Sequence, residues 1–322
     1  MNEREWVKEF ILQRSHPEES VRGPGDDAAI FDTSVDHSNV ISVDSLVSGQ
    51  HFDEDWLNLW HPPGGLATRL IRGSLSDITA MGARVTGVLL SMETPELPGC
   101  FGDDFWKSFD TESALHQIEL LGGNITRNEH STSVHATVLG QVPLGRSWVR
   151  DSARPGDWIG VTGFPGSAAQ SLQLLQSGSE LPEQDPWRFP ISRQRFALAL
   201  QERLQATPAC IDISDGLEID LQRLCTASKV SATVNLDTLL ASPTPPTIEQ
   251  ILGGGEDYEL ILGVDPKEVS TVDQVAKETG TPWHWIGQFE ESIQDMTKLQ
   301  WQIAGDSFTP QKRDLGWDPF RS

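Results

Sequence analysis

The residues with the clearest chemical potential are carboxylates set at backbone turns. Asp27 follows Gly23-Pro24-Gly25, Asp44 falls near the end of the strand-like run NVISVDSLV, and Asp212 and Asp215 bracket the turn of IDISDG. Glu256 and Asp257 follow consecutive glycines in GGGEDYE, and Asp77 sits in a helical stretch with Leu66, Leu70, Ser74 and Met81 on one face. That spacing puts Asp77 on the packing side of its helix, where a carboxylate without a partner costs several kcal/mol, so a cation is expected to meet it. Gly73 and Ser74, one turn earlier, leave room for a ligand. Hard oxygen donors in this number, with no Lys or Arg beside them in sequence, suit Mg²⁺ holding carboxylates, waters and phosphate oxygens. Zinc is disfavoured because no Cys or His cluster has ligand spacing. Taken singly, each acid has a plainer role as a helix cap or Asx turn, Ser214 and Asp215 above all.

The elements that must position these groups follow from periodicity and punctuation. The first ten residues read as a short amphipathic helix, RGPGDDAAIF as a turn delivering Asp26 and Asp27 into a strand, and Pro62-Pro63-Gly64 as the start of a helix ending near Met81. GVLLSME is a strand, a helix runs from about Asp103 to Leu121 and stops at Gly122-Gly123, and SVHATVLGQV alternates as a strand does. The polar RDSARPGDW, Arg150 to Trp158, is the linker candidate. The pattern then restarts: strand WIGVTG, helix Ser167 to Gln176, strand ACIDI, helix LEIDLQRLC, and strands SATVNL and YELILGV. Strands alternating with helices in both halves predict two α/β (α+β) domains, 1–149 and 150–322.

Composition narrows the partners. The 24 Lys+Arg against 47 Asp+Glu give a net charge of −23, which opposes nucleic acid. Only 7 of the basic residues are Lys, so the surface is carboxylate-rich and compatible with a salt-tolerant host. No run approaches the length of an apolar membrane span, and the N-terminus is charged where a signal peptide would be apolar. With three cysteines lacking C-x-x-C spacing, these features predict a cytoplasmic protein. Neither a P-loop nor a G-x-G-x-x-G opening a helix is present; the nearest approach, GFPGS at Gly163 to Ser167, lacks the lysine. If ATP is handled, metal ions must take the place of that lysine.

In order and spacing, GPGDDAAIF, VDSLVSGQHF, LSDITAMGA, LGGNITR, VRDSARPGDWIGVTG, IDISDGL and GGGEDYEL closely resemble the thiamine-monophosphate kinase family of the aminoimidazole-ribonucleotide-synthetase-like superfamily. The resemblance implies transfer of the γ-phosphoryl of ATP to thiamine phosphate, with several Mg²⁺ ions, K⁺ assistance in some members, and a homodimer formed through the first domain. Carried over motif by motif, it implies Mg²⁺ ligation by Asp27, Asp44 and Asp77, with Ser42 and Val43 beside them, and by Asp212 and Asp215 from the second domain. It also implies ATP contacts at Gly123, Asn124, Arg150 and Ser214, and substrate contacts at His51, Glu256 and Trp317. Where the family pattern reads GGDT this chain has Gly122-Gly123-Asn124-Ile125, so a carboxylate is replaced by an amide and Mg²⁺ binding there is expected to weaken. Arg69 and Ser74 stand where relatives carry Lys and Asn. Two alternatives accompany this reading: a superfamily enzyme with another acceptor, and a nucleotide-binding relative without catalysis.

The chemistry suits the residues. A phosphate monoester with a second pKa of about 6 is already ionised at neutral pH, so no general base is needed. The obstacle is repulsion between two anions, which bridging divalent ions relieve.

Overall fold

The computed structural model describes residues 21–22, 27–32, 36–58, 61–181, 184–242, 244–292 and 297–310. The amphipathic stretch expected at the N-terminus, Asp26 and Trp317 lie outside them. The first half contains β1 (Val21–Arg22), β2 (Ala29–Asp32), β3 (His37–Val47), α1 (Pro63–Ala80), β4 (Arg84–Thr94), α2 (Asp103–His116), β5 (Glu119–Arg127) and β6 (Ser133–Pro143). The second contains β7 (Trp158–Thr162), α3 (Ser167–Gln176), α4 (Gln194–Arg203), β8 (Ala209–Ile213), α5 (Leu217–Ser228), β9 (Val230–Asn235), α6 (Asp237–Leu240) and α7 (Ile248–Gly253). After these come β10 (Glu259–Val264), α8 (Val269–Thr279), β11 (Trp283–Glu291), β12 (Leu299–Ile303) and β13 (Asp306–Phe308).

Each half builds one mixed sheet. The first runs β1-β2-β3-β6-β4-β5, antiparallel except for the β4–β5 edge. The second runs β13-β12-β9-β11-β7-β10-β8, antiparallel except for β12 beside β9. The expected α+β architecture of two halves is therefore present, with helices covering antiparallel-rich sheets.

Helix α1 organises the molecule. Pro63 at its first turn sets φ for helix entry, and Gly82 at φ +66 ends it. Leu66, Leu70, Ile71, Leu75 and Ile78 are all at most 1% exposed and pack with Val40, Val88, Val138 and Phe105 into the first core. Its end joins the second half through a cluster of Ala80, Trp148, Phe196, Leu200 and Leu260, where Trp148 Nε1 donates to Gln201 Oε1 at 2.6 Å. This apolar seam fixes α1 against β8 and so fixes Asp77 relative to Asp212.

One expectation is corrected. The helix after Asp103 ends at His116, with Gln117 left-handed at φ 57, and the following ELLGGNITR is the edge strand β5. The short apolar run Ile118-Glu119-Leu120-Leu121 fitted either a helix end or a strand, and pairing with β4 decides it. β3 ends at Val47, as the run NVISVDSLV does, so Asp44 falls near the strand's end as expected, with β6 offering a partner for every residue through Ser133.

Candidate metal and phosphate site

Asp27, Asp77 and Asp212 come from the entry to β2, from α1 and from β8, and they offer carboxylate oxygens all within 4.8 Å of one another. Ser42 Oγ on β3 donates to Asp77 Oδ2 at 2.5 Å and to the Asp27 carbonyl at 3.3 Å. Arg150 Nε meets Asp27 Oδ2 at 2.8 Å, and the Asp212 amide lies 3.4 Å from Asp27 Oδ1. Burial and then mutual repulsion push the carboxyls of Asp77 and Asp212 well above the ordinary range. Asp44 is also raised, by burial first, while the Ser45 amide donates to its Oδ1 at 2.7 Å. Three acids sharing one spot, with Arg150 paired to Asp27, leave negative charge that a divalent cation neutralises. The residues fit Mg²⁺.

The triad opens on a cleft of about 650 Å³ lined by Asp44, Asp77, Asp212, Ser214, Asp215 and Glu256 among others, a size typical of ligand sites. On α1 Gly73 and Asp77, at i and i+4, line the cleft beside the apolar ridge on which periodicity placed Asp77, with Arg69 buried one turn earlier. The space beside Gly73 is taken by Tyr258, since a β-carbon at Gly73 would stand 3.0 Å from its Cζ. Ser74 turns inward to the Leu70 carbonyl at 2.7 Å. Of the two positions expected to leave room, Gly73 lines the cleft beside Tyr258, whereas Ser74 is turned into the protein.

The second-half turn is more constrained than its sequence suggested. Asp220 Oδ2 accepts the amides of Ser214, Asp215 and Gly216 at 3.1, 3.0 and 3.1 Å, so the turn leading into α5 is tied to a carboxylate of the helix's own first turn and these three N–H groups are not open to a phosphate. Arg223 Nη1 bridges Asp215 Oδ2 at 2.6 Å and Asp220 Oδ1 at 2.7 Å. Cations absent from the local sequence therefore do reach the acids, from positions distant or one helical turn away.

At the other end, Glu256 and Tyr258 adopt φ of +64 and +53, conformations costly for residues with a β-carbon and typical of functional turns. Glu256 pairs with the buried Arg69 and accepts Trp187 Nε1 at 2.9 Å. Arg69 also donates to the His51 carbonyl at 2.6 Å and lies 4.2 Å from the centre of the Trp187 ring. His51 accepts the Val47 amide at Nδ1, 3.1 Å away, which places its proton on Nε2, and burial lowers its pKa so that it is a neutral donor.

Val43 is 65% exposed on the outer face of the first sheet, with Ser42 and Asp44 either side of it in β3. Gly123 and Asn124 lie on β5, and Asn124 Nδ2 donates to Thr126 Oγ1 at 3.0 Å. Asn124 pairs with Ser91, Ser91 with His135 and His135 with Ser45, which sets Asn124 three strand spacings, about 14 Å, from β3. Within one chain these residues are not brought to the triad. Arg69, Tyr258, Trp56, Trp187 and Asp220 complete the site without having been singled out as part of it. The signal for Arg69 was present, a cation eight residues before Asp77 and so on the same side of the helix.

The N-terminal domain model of AIR synthase related proteins matches residues 25–142, and the corresponding C-terminal domain model matches residues 154–295. Together they define the class: a two-domain AIR synthase related protein. The thiamine-monophosphate kinase of Salmonella typhimurium is 32% identical over 285 residues, spanning 85% of this chain and 86% of that protein. The crystal structure of the thiamine-monophosphate kinase from Stenotrophomonas maltophilia K279a superposes with a TM-score of 0.71 at 27% identity, covering 94% of this chain and 96% of that one. AaThiL complexed with AMPPCP and TMP shares the fold, with a TM-score of 0.77 at 23% identity over 99% of this chain and 97% of that chain. The chain belongs to the thiamine-monophosphate kinase family.

Proposed function

We propose that this chain transfers the γ-phosphoryl of ATP to thiamine phosphate, giving thiamine diphosphate and ADP. The observation that carries the reading is the buried Asp27–Asp77–Asp212 triad, drawn from both halves and opening on the cleft. Asp27, Asp44, Asp77 and Asp212 would hold Mg²⁺, with Asp215 beyond them if Arg223 yields its place. Bound there, Mg²⁺ would supply charge neutralisation for the phosphate oxygens of both reactants and a template for in-line displacement. The chain's own groups do the rest. Arg150 and Ser42 hold two of the acids in place, and Asp220 fixes the turn that presents Ser214 and Asp215. His51 offers a neutral N–H at the cleft, and no side chain is asked to remove a proton from an acceptor that is already ionised. Incubating the protein with ATP, Mg²⁺ and thiamine phosphate tests the reading: thiamine diphosphate is expected, and its absence with ADP formed on another acceptor would favour a different superfamily activity.

The division at 149/150 and a homodimer belong to the same proposal. Val43, Leu89, Leu120, Leu121 and Ile125 are 39–65% exposed on β3, β4 and β5, a large apolar area for a sheet facing water. A second copy would cover it, and sedimentation should give a two-chain mass. The three free cysteines suit a reducing compartment, and no helix among the described residues is long and apolar enough to cross a membrane.

Asn124, about 14 Å from β3 within one chain, keeps one oxygen of the family's carboxylate but no charge, and it would act on Mg²⁺ only through bound nucleotide or a second copy. Asn124→Asp is expected to lower the Mg²⁺ concentration for half-maximal turnover several-fold, about the effect of one added carboxylate. An unchanged Mg²⁺ titration would remove Asn124 from the metal site.

A further inference from the structure

The cleft has two chemically distinct ends. One is acidic, with Asp44, Asp77 and Asp212; the other is lined by Trp56, Trp187, Leu172, Ala169 and His51, with Glu256 between them. The aromatic end is a built structure. Trp56, in the short helical turn Glu54–Asn58, stands edge-on to Trp187 with ring centres 6.0 Å apart, and Ala168, Leu175 and Trp187 form a small buried cluster beneath it. Trp187 is 2% exposed and so works mainly as a support; Trp56, half-buried, is the ring with surface left for a ligand. Behind Trp187, His61 approaches at 5.0 Å and the Arg69 guanidinium covers the indole at 4.2 Å.

The charges decide what such an end can take. Arg69 is completely buried and spent on Glu256, the His51 carbonyl and the Trp187 ring, so it offers no cation to an incoming phosphate. Glu256 keeps a carboxylate at the cleft, where Oε1 accepts from Arg69 and Oε2 from Trp187, each oxygen carrying a second lone pair. An electron-rich indole face beside a carboxylate attracts an aromatic cation and repels an anion. Adenine is neutral, whereas thiamine phosphate carries a quaternary thiazolium and an exocyclic amino group that can donate to a carboxylate.

We propose that Trp56, supported by Trp187, is the specificity-determining wall on which the cationic ring of the phosphoryl acceptor stacks, with Glu256 facing it. This inference rests on the kinase reading above for the identity of the acceptor. It places the organic half of the substrate at the aromatic end and leaves its phosphate directed to the acidic end of the same cleft.

Calorimetric binding of thiamine phosphate and, separately, of MgATP to the full chain tests it without requiring turnover. Trp56→Leu is expected to weaken thiamine phosphate binding about tenfold and leave MgATP binding within about twofold, with Trp56→Phe recovering most of the loss. Thiamine phosphate affinity unchanged in Trp56→Leu would overturn the proposal, and weakened MgATP binding instead would assign the wall to the adenine. Should the leucine variant not fold, the wild type still decides: a phosphate of the neutral thiophene analogue should bind several-fold more weakly than thiamine phosphate, and equal binding would overturn the stacked cation. The two readings separate cleanly. Wild type that binds thiamine phosphate through Trp56 but forms no thiamine diphosphate contradicts the kinase and keeps the wall; wild type that binds no thiamine phosphate overturns the wall.

Discussion

Asp212→Asn is expected to reduce turnover by about 10³-fold while making the metal-free protein more stable. The two effects share a cause. Asp212 is buried on β8 with Asp27 and Asp77 close by, and its carboxyl is raised by burial and by both neighbours. The amide keeps the shape, removes one repelling charge and removes a ligand whose metal is worth several kcal/mol at the transition state, about 10-fold in rate for each 1.4 kcal/mol. Neutralising it should raise the unfolding free energy of the metal-free form by about 1–3 kcal/mol.

The sign of the pH dependence follows from the same shifts. A carboxyl raised in the folded state holds its proton more tightly folded than unfolded, so its contribution favours folding at low pH. That contribution is lost as pH rises from the ordinary carboxylate range through the raised values of Asp77 and Asp212. Wild-type melting temperature without Mg²⁺ should therefore fall over that range, and less steeply in Asp212→Asn. Added Mg²⁺ should raise it more at pH 7.5 than at pH 5.5, because protons and metal compete for the same oxygens. Turnover within about tenfold of wild type in Asp212→Asn would return Asp212 to a structural role.

Asp220→Ala is expected to cost about 3–5 kcal/mol of stability, measured by denaturant unfolding. One carboxylate oxygen accepts three successive amides, and the other meets Arg223, so alanine leaves buried donors and a cation without their partner. Each unsatisfied buried group costs about 1–3 kcal/mol, and the loop relaxes to recover part of it. The turn holds Ser214 and Asp215 at the cleft, so activity should fall in the folded fraction as well. Asp220→Asn is the informative control: its carbonyl oxygen still accepts amides, and it should recover most of the stability. A loss below about 1 kcal/mol in Asp220→Ala would show that the three amides find other acceptors.

Asp220 also shows where sequence reading stops. IDISDG, followed by LEID, announces a strand, a turn and a helix with acids at the turn, and all three elements form as expected. What the string does not display is that the second acid of LEID turns back to hold the turn, because that depends on the backbone path between them. The same applies to Asp77. Its inward-facing position was legible from the periodicity of its helix, but its partners Asp27 and Asp212 are 50 and 135 residues away in sequence. The Ala80–Trp148–Leu260 seam brings α1 to β8.

The β5 strand failed for a different reason. Its residues are all exposed in the single chain, so no alternation of buried and exposed positions marked it, and its pairing with β4 crosses a register shift at Val88/Leu89. Arginines were underestimated because their reach was judged along the sequence. Arg150 finds Asp27 across 123 residues, and Arg69 finds Glu256 across 187.

The most direct test is anomalous diffraction from crystals grown with Mn²⁺, a non-hydrolysable ATP analogue and thiamine phosphate. The account predicts Mn²⁺ peaks about 2.0–2.3 Å from oxygens of Asp27, Asp77 and Asp212, each also touching a phosphate oxygen. Nucleotide bound with no metal density at these three carboxylates would contradict it.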